Sequence, residues 1–490
     1  MTRPLYTAEQ TRAIDRDAIE RQGIPGPELM ARAAEAVCRL IQKEYPEIER
    51  LVVYAGTGNN AGDGYLVARR VQDLGKSVRI VQLVPGESLQ GDAGAACEEA
   101  TCAEVPMQPF AEANPIDEDL VVDALLGTGL SRPVEGDWAE AVDHINQSNA
   151  GVVSVDIPSG LDADTGVADP HTVRADHTVT FIARKRGLYT ADGPDCVGWV
   201  TYDDLEVESD NSSAVVLCDW AEIRRGLPRR RRSSHKNEFG HVLVIGGHVG
   251  YQGAAELCGI TALRCGSGLV SLVQPPEALK MRSPMPELMC HAVANRRALR
   301  DLAGRASVIA IGPGLGQDAW AQDMLGAVLE MSLPRVIDAD ALRLLAADPC
   351  RNLSGDWVLT PHPGEAAALL DAKTAEVQKD RFSAVGRIQE TYGGVVVLKG
   401  CGTLVADADG GIGVCAGGNP GMATAGMGDV LTGVIASLIG QGLDIGRAAL
   451  AGACLHAAAG DLACERGMHG MTAGDLLPHL RALSDPPDVV

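Results

Sequence analysis

Basic residues are scarce in this chain. Across 490 residues, 42 Lys and Arg stand against 65 Asp and Glu, for a formal net charge of -23. A nucleic-acid backbone requires a basic surface, so DNA and RNA are excluded as general partners. An acidic nucleotide would need glycine loops, a lysine or Mg2+ to offset this field locally. The chain also lacks an uninterrupted apolar stretch long enough to span a bilayer. The segment Met1-Thr2-Arg3-Pro4-Leu5-Tyr6 has no apolar core of the signal-peptide kind. No membrane partner and a cytoplasmic location are therefore expected. There are 13 cysteines, an odd number, and none has Cys-x-x-Cys spacing, which argues against structural zinc and against a disulfide framework. Cys258, Cys265 and Cys454 sit among apolar helical neighbours, as packed thiols do.

What is present is a long chain of ordinary globular composition, too long for one core, which points to two or three domains. Short apolar runs rich in β-branched residues, at 51–55, 78–84, 120–124 and 152–156, alternate with helical patterns such as 61–74. Two more helices, 7–21 and 27–43, precede them. A second series of strands, 241–245, 270–273, 308–311, 335–338, 357–360 and 395–399, alternates with helices at 254–265, 430–438 and 447–464. Continuous apolar strands separated by helices predict parallel sheets covered on both faces. Between the two series the chain turns polar and then carries Arg229-Arg230-Arg231-Arg232. In this acidic background the run reads as a solvated linker rather than a nucleic-acid site. The expected organisation is a domain over 1–210, a linker over 211–234 and a domain over 235–490.

In the first half, Gly56-Thr57-Gly58-Asn59-Asn60-Ala61-Gly62-Asp63-Gly64 follows a strand and opens a helix. That context suits phosphate or ligand binding, although Asn59-Asn60 also suits a turn and no Lys follows. Asp123 and Asp156 end neighbouring strands. Their charges, crowded near Asn60, call for a cation or a raised pKa. Asn60, Asp123 and Ser159 are hard oxygen donors, suited to a hard cation and unsuited to zinc. Three motifs in order, Gly58-Asn59-Asn60-x-Gly62-Asp63-Gly64, Asp123-x-x-x-Gly127-Thr128-Gly129 and Asp156-x-Pro158-Ser159-Gly160, resemble the NAD(P)H-hydrate epimerase domain over residues 1–210. The resemblance implies K+ at Asn60, Asp123 and Ser159. It implies substrate contacts at Asn59, Asn60, Ala61, Gly62 and Asp63, at Gly127, Thr128, Gly129, Leu130, Ser131, Arg132 and Pro133, and at Asp156. Ala61 stands where the family usually has Gly, and a left-handed turn there would be strained. Epimerisation of a hydrated nicotinamide ring needs a proton moved at the hydroxyl. Asp156 is the candidate acid/base; the alternative is that Asp123 acts and Asp156 orients a hydroxyl.

In the second half the glycine-rich segment Gly417-Gly418-Asn419-Pro420-Gly421-Met422-Ala423-Thr424-Ala425-Gly426-Met427-Gly428-Asp429 runs straight into an apolar helix at 430–438. A helix N-terminus offers free N–H groups and positive dipole to an anion. A carboxylate there repels phosphate unless it caps the helix, contacts a metal or takes a proton from a hydroxyl. The density of glycine favours the ligand role. Further loops at strand ends are Gly246-Gly247-His248, Gly312-Pro313-Gly314, Asp338-Ala339-Asp340, Thr360-Pro361-His362-Pro363-Gly364-Glu365 and Lys399-Gly400-Cys401-Gly402-Thr403. Together they resemble the ribokinase-like superfamily, in its NAD(P)H-hydrate dehydratase branch, from about His235 onward. The resemblance implies Asp429 as base and nucleotide contacts at Lys399, Gly400, Cys401, Gly402, Thr403 and Gly428. Ala254, Gly314, His362 and Asp429 would face the hydrated dinucleotide. His362 also reads as a rigid-turn histidine between prolines, and Glu365 as a helix cap or a Mg2+ ligand through water. His248 replaces the Ser common in the family.

The fold expectation is two three-layer α/β domains, Rossmann-like and then ribokinase-like. The functional expectation is a bifunctional lyase and isomerase that interconverts the R and S hydrates of NADH and NADPH and dehydrates the S form with ADP, ATP being the alternative phosphoryl donor. Its cofactors would be K+ and Mg2+, its partners small molecules, and its assembly a homo-oligomer. The alternatives are a hydroxymethylpyrimidine- or sugar-type kinase, and an N-terminal half that only binds or scaffolds.

Overall fold

The computed structural model describes residues 3–130, 132–209, 213–227, 229–278, 285–347 and 355–485. It divides into two compact units, Pro4–Val215 and Val216–Val490 with Met1–Arg3.

In the first unit seven strands form one parallel sheet. Their order is Met107–Pro109, Ser77–Gln82, Arg50–Ala55, Leu120–Ala124, Gly151–Val155, His177–Phe181, Trp199–Asp203. Leu51, Val53 and Val122 pack with helices Gly26–Glu44, Gly58–Asp73 and Gly91–Cys102. Val52, Tyr54 and Val121 pack with helix Asp137–Asn146 on the other face. This is the period-two division of a strand whose two faces are both covered. Strand order reverses between Arg50–Ala55 and Leu120–Ala124, which opens a crevice at their carboxyl ends. Strand His177–Phe181 escapes a search for apolar runs because Thr178 and Thr180 interrupt it. Both are fully buried, and the Thr178 hydroxyl donates to the Val197 carbonyl at 2.8 Å.

In the second unit the strands Trp357–Leu359, Arg335–Ile337, Val308–Ile311, His241–Ile245, Leu269–Gln274 and Met289–Ala292 lie side by side and parallel. Val395–Leu398 extends the sheet in parallel beside Trp357–Leu359, and Thr403–Ala406 and Ile412–Cys415 then add to it antiparallel. Helices Gln252–Arg264, Met427–Gly440, Ile445–Cys464 and Leu476–Leu483 share a core with Val242 and Val244 on one face. Helices Ala319–Leu329, Ala339–Ala347, Pro363–Leu370 and Arg381–Tyr392 form the other layer. Helix Met427–Gly440 is buried continuously from Val430 to Ile439. A helix enclosed on all sides reads as an unbroken apolar run rather than an amphipathic one, as it does here.

The linker expectation for 211–234 needs amendment. Val215–Cys218 is a strand beside Ile412–Cys415, and Trp220 and Leu227 are buried in the core of the second unit.

Candidate active sites

The crevice of the first unit is a cavity of about 480 Å³. Of the residues named from sequence, Asn59, Asn60, Asp63, Gly127, Thr128, Gly129, Leu130, Arg132 and Asp156 line it. Ser131 lies outside the described residues. Ala61, Gly62 and Pro133 are not among the lining residues. Ala61 is fully buried inside helix Gly58–Asp73 with ordinary helical backbone, so no left-handed turn is required of it. A Cβ on Gly62 would fall 2.6 Å from the Met30 side chain, which explains the glycine by packing.

Asp123 lies under the cavity, fully buried. It accepts from Ser154 Oγ at 2.8 Å, Ser159 N at 2.9 Å, Ser159 Oγ at 2.6 Å and Leu125 N at 3.2 Å. Burial raises its carboxyl above the ordinary range, and the hydrogen bonds from Ser159 and Ser154 oppose this. Both polar atoms of the Asn60 amide, which lines the cavity, are buried with no hydrogen-bond partner. A buried amide without partners is costly, and a carbonyl oxygen so placed suits a hard cation. The Asn60 carbonyl is thus of a kind that suits a hard cation such as K+, with Asp123 and Ser159 as the other candidate oxygen donors.

Asp156 is the residue immediately after strand Gly151–Val155 and has a left-handed backbone, φ 64°. Its Oδ1 accepts from the Lys185 ammonium, from Thr180 Oγ1 at 3.3 Å and from Phe181 N at 3.2 Å. Lys185, Asp15 and Asp63 line the same cavity. Burial, then the charge of Asp156, raises the carboxyls of both Asp63 and Asp15. The sequence reading missed Lys185 and Asp15. Lys185 sits in Arg184-Lys185-Arg186, which reads as a solvated basic run, yet its side chain is 1% exposed.

In the second unit the glycine segment ends at Gly426, whose left-handed backbone (φ 91°) caps helix Met427–Gly440. Asp429 stands in the first turn. Burial, then the neighbouring Asp338 charge, pushes its carboxyl up to about 7, while Lys399 works the other way. Lys399 Nζ donates to Asp338 Oδ1 at 2.8 Å and lies 3.8 Å from Glu365 Oε2. Asp338 also accepts from Thr360 Oγ1 at 2.8 Å and Thr432 Oγ1 at 2.9 Å. Burial disfavours its charge, but Lys399 and the two hydroxyls hold it below the ordinary range. A Cβ on Gly428 would stand 3.2 Å from Lys399 Nζ, so the helix start and the lysine meet here.

His362 caps helix Pro363–Leu370: its Nδ1 accepts from Gly364 N at 3.0 Å and Glu365 N at 3.3 Å, and Glu365 Oε2 accepts from His362 N at 2.8 Å. These bonds match the rigid-turn reading of His362 and the helix-cap reading of Glu365. Gly400 and Gly402 have left-handed backbone, and the buried Arg381 guanidinium donates to the carbonyls of Leu398, Lys399 and Gly402. Cys401 is exposed, and Thr403 Oγ1 donates to Gly400 O at 3.0 Å. Ala254 and Gly314 meet: a Cβ on Gly314 would lie 3.4 Å from Ala254 Cβ. His248 is tied to the same loops, with its N–H on Gly314 O at 2.7 Å and its Nε2 at 3.1 Å from Asp318 Oδ2.

The family model for NAD(P)H-hydrate dehydratase matches residues 242–481, and that for the YjeF-related protein N-terminus matches residues 26–187. The bifunctional NAD(P)H-hydrate repair enzyme of Coxiella burnetii is 44% identical, over 98% of this chain and 99% of its own. That of Escherichia coli is 39% identical, over 98% of this chain and 94% of its own. The chain belongs to the bifunctional NAD(P)H-hydrate repair family. Among solved structures, a ribokinase-like superfamily protein of Enterococcus faecalis is 27% identical, with a TM-score of 0.51, covering 57% of this chain and 100% of its own.

Proposed function

We propose that the first unit interconverts the R and S hydrates of NADH and NADPH, and that the second dehydrates the S form at the expense of ADP. The observation that carries this reading is the pair of independent strand-end sites in one chain: a cavity around Asp156, and Asp429 at a helix N-terminus beside Lys399.

In the cavity Asp156 exchanges the proton of the ring hydroxyl, which permits either ring opening or loss and return of water. K+, held by Asn60, Asp123 and Ser159, would supply a fixed positive charge beside the bound dinucleotide when present.

In the second unit water is a poor leaving group until the hydroxyl is phosphorylated. Asp429 takes the hydroxyl proton as the oxygen attacks the terminal phosphoryl group in line. The N–H groups at the start of helix Met427–Gly440 and the Lys399 charge stabilise the transferring group. Phosphate then leaves with the ring oxygen, and loss of a neighbouring proton restores the dihydropyridine. Lys399, Gly400, Cys401, Gly402, Thr403 and Gly428 hold the nucleotide, and Ala254, Gly314 and His362 face the hydrate. Among the described residues no group of three His, Cys, Asp or Glu is placed to hold a metal. Mg2+ would be held chiefly by the nucleotide phosphates and water and would neutralise the phosphate charge.

The test is turnover of mixed-epimer hydrated NADH by wild type and Asp429→Asn, with ADP and with ATP. Recovery of reduced nicotinamide should be faster with ADP and should fall about 100-fold or more in Asp429→Asn. Unchanged turnover in that variant would remove the base from Asp429.

Partners are small molecules, and no helix among the described residues is long and apolar enough to cross a membrane. The location read here is cytoplasmic, and cell fractionation tests it. Assembly as a homo-oligomer is checked by light scattering.

A further inference from the structure

The cavity of the first unit is closed on one side by two strained turns that sit next to each other. Strands Gly151–Val155 and His177–Phe181 are parallel neighbours, and each ends in the same unusual way. After the first, Ile157 N donates to Val155 O at 2.8 Å across Asp156, whose φ is 64°. After the second, Ala183 N donates to Phe181 O at 2.6 Å across Ile182, whose φ is also 64°. A three-residue turn with positive φ at its centre is rare and strained, and in a β-branched residue such as Ile182 it is an outlier. Strain of this kind persists only where surrounding contacts over-determine it.

Lys185 supplies those contacts. Its backbone is fixed by Tyr6, whose N donates to Arg184 O at 2.8 Å and whose O accepts from Arg186 N at 3.0 Å. Its ammonium donates to Asp156 Oδ1, to Thr180 Oγ1 at 3.2 Å and to Phe181 O at 3.0 Å. An ammonium has three donors, and all three have an acceptor here, one on the first turn and two at the end of the second strand. No N–H is left over for a substrate oxygen, although the side chain borders the cavity.

We infer that Lys185 is a positioning residue for epimerisation: it ties the two strained turns together and presents the Asp156 carboxylate, through the oxygen it does not bind, to the ring hydroxyl. The inference rests on Asp156 being the group that moves the hydroxyl proton.

The experiment uses the full chain carrying Asp429→Asn, so that hydrate is not consumed, and follows exchange between R and S hydrates of NADH by chromatography. Lys185→Met keeps the length and apolar stem of the side chain. Its kcat should fall about 100-fold, within the range for lost acid–base function, while KM stays within about threefold, as for an interaction used in the transition state. Lys185→Ala should regain rate with methylammonium and not with tetramethylammonium, which has no N–H to donate; a purely structural gap would respond to neither. A Lys185→Met variant with wild-type kcat, or one impaired only in KM, overturns the inference. So does a Lys185→Ala variant that methylammonium does not restore. Asp156→Asn run in parallel separates the two claims. If it keeps the wild-type rate, the assignment of Asp156 itself fails. If it loses the rate while Lys185→Met keeps it, only the role of Lys185 fails.

Discussion

At the scale of single residues the second site is an arrangement of three charges, Asp429, Lys399 and Asp338, of which only the first two carry an assignment from the sequence. Asp429 must be ionised to take a proton, and its carboxyl is pushed up to about 7. A raised carboxyl is protonated at acid pH, so kcat/KM for ADP-dependent dehydration should climb with pH, with a midpoint near 7, and level off above it. Replacing Asp338 by Asn removes the negative charge that, after burial, raises Asp429 most, while Glu365 and Asp429 still favour the charged form of Lys399. The midpoint should then move to lower pH. A pH–rate profile on both forms measures this, and a midpoint that rises in Asp338→Asn would contradict the charge arrangement. Asp429, Asp156 and Asn60 were legible in the sequence because each is a polar residue where glycine or an apolar strand surrounds it. Asp338 and Lys185 were not, for opposite reasons. Asp338 is one of several carboxylates that end strands, and nothing local reveals that Thr360, Lys399 and Thr432 converge on it from distant segments. Lys185 hides between two arginines, and the acceptors that hold it, on Asp156, Thr180 and Phe181, leave no mark in its local sequence.

At the scale of elements the site depends on where helix Met427–Gly440 starts. Gly426 makes that start possible. Its φ of 91° is left-handed, and a Cβ there would sit 2.8 Å from Leu257 Cδ2 and 3.1 Å from Ala473 Cβ. A side chain in left-handed backbone costs about 1–2 kcal/mol, and the Leu257 contact adds to that because packed interiors resist insertion. Gly426→Ala should therefore lower stability by roughly 2 kcal/mol or more, seen as a lower urea midpoint with unchanged slope. It should also weaken nucleotide binding, because the free N–H groups of the first turn would shift. Wild-type stability in that variant would mean the helix can begin elsewhere. Elements of this sort were legible: glycine followed by a long apolar run gave the helix. The hairpin Thr403–Ala406 with Ile412–Cys415 was not, because Gly413 breaks the apolar run of its second strand and no helical pattern separates the two. Strand Val215–Cys218 was read as linker for a related reason. It is short and follows a polar segment, and its place beside Ile412–Cys415 is set by a partner far away in sequence.

For the whole molecule, two chemistries in one chain have a consequence that neither unit has alone. The dehydratase reading consumes one epimer, so the yield of repair depends on how fast the other is converted. With a mixed-epimer substrate and excess ADP, wild type should restore all of the reduced nicotinamide in a single progress curve. Asp156→Ala should give a fast phase whose amplitude equals the S share of the starting mixture. A slow phase should follow at the uncatalysed rate of epimer exchange, because the Asp429 site is untouched. Adding the Asp429→Asn chain, which retains the first site, should convert that slow phase back to a fast one in proportion to the amount added. The absorbance of the reduced ring reports all of these directly. Rescue in trans works only if the two variants are each defective in one activity and intact in the other. A fast phase that reaches completion in Asp156→Ala alone would mean either that epimer exchange does not need Asp156 or that the second unit accepts both epimers, and the exchange assay in the Asp429→Asn background tells the two apart.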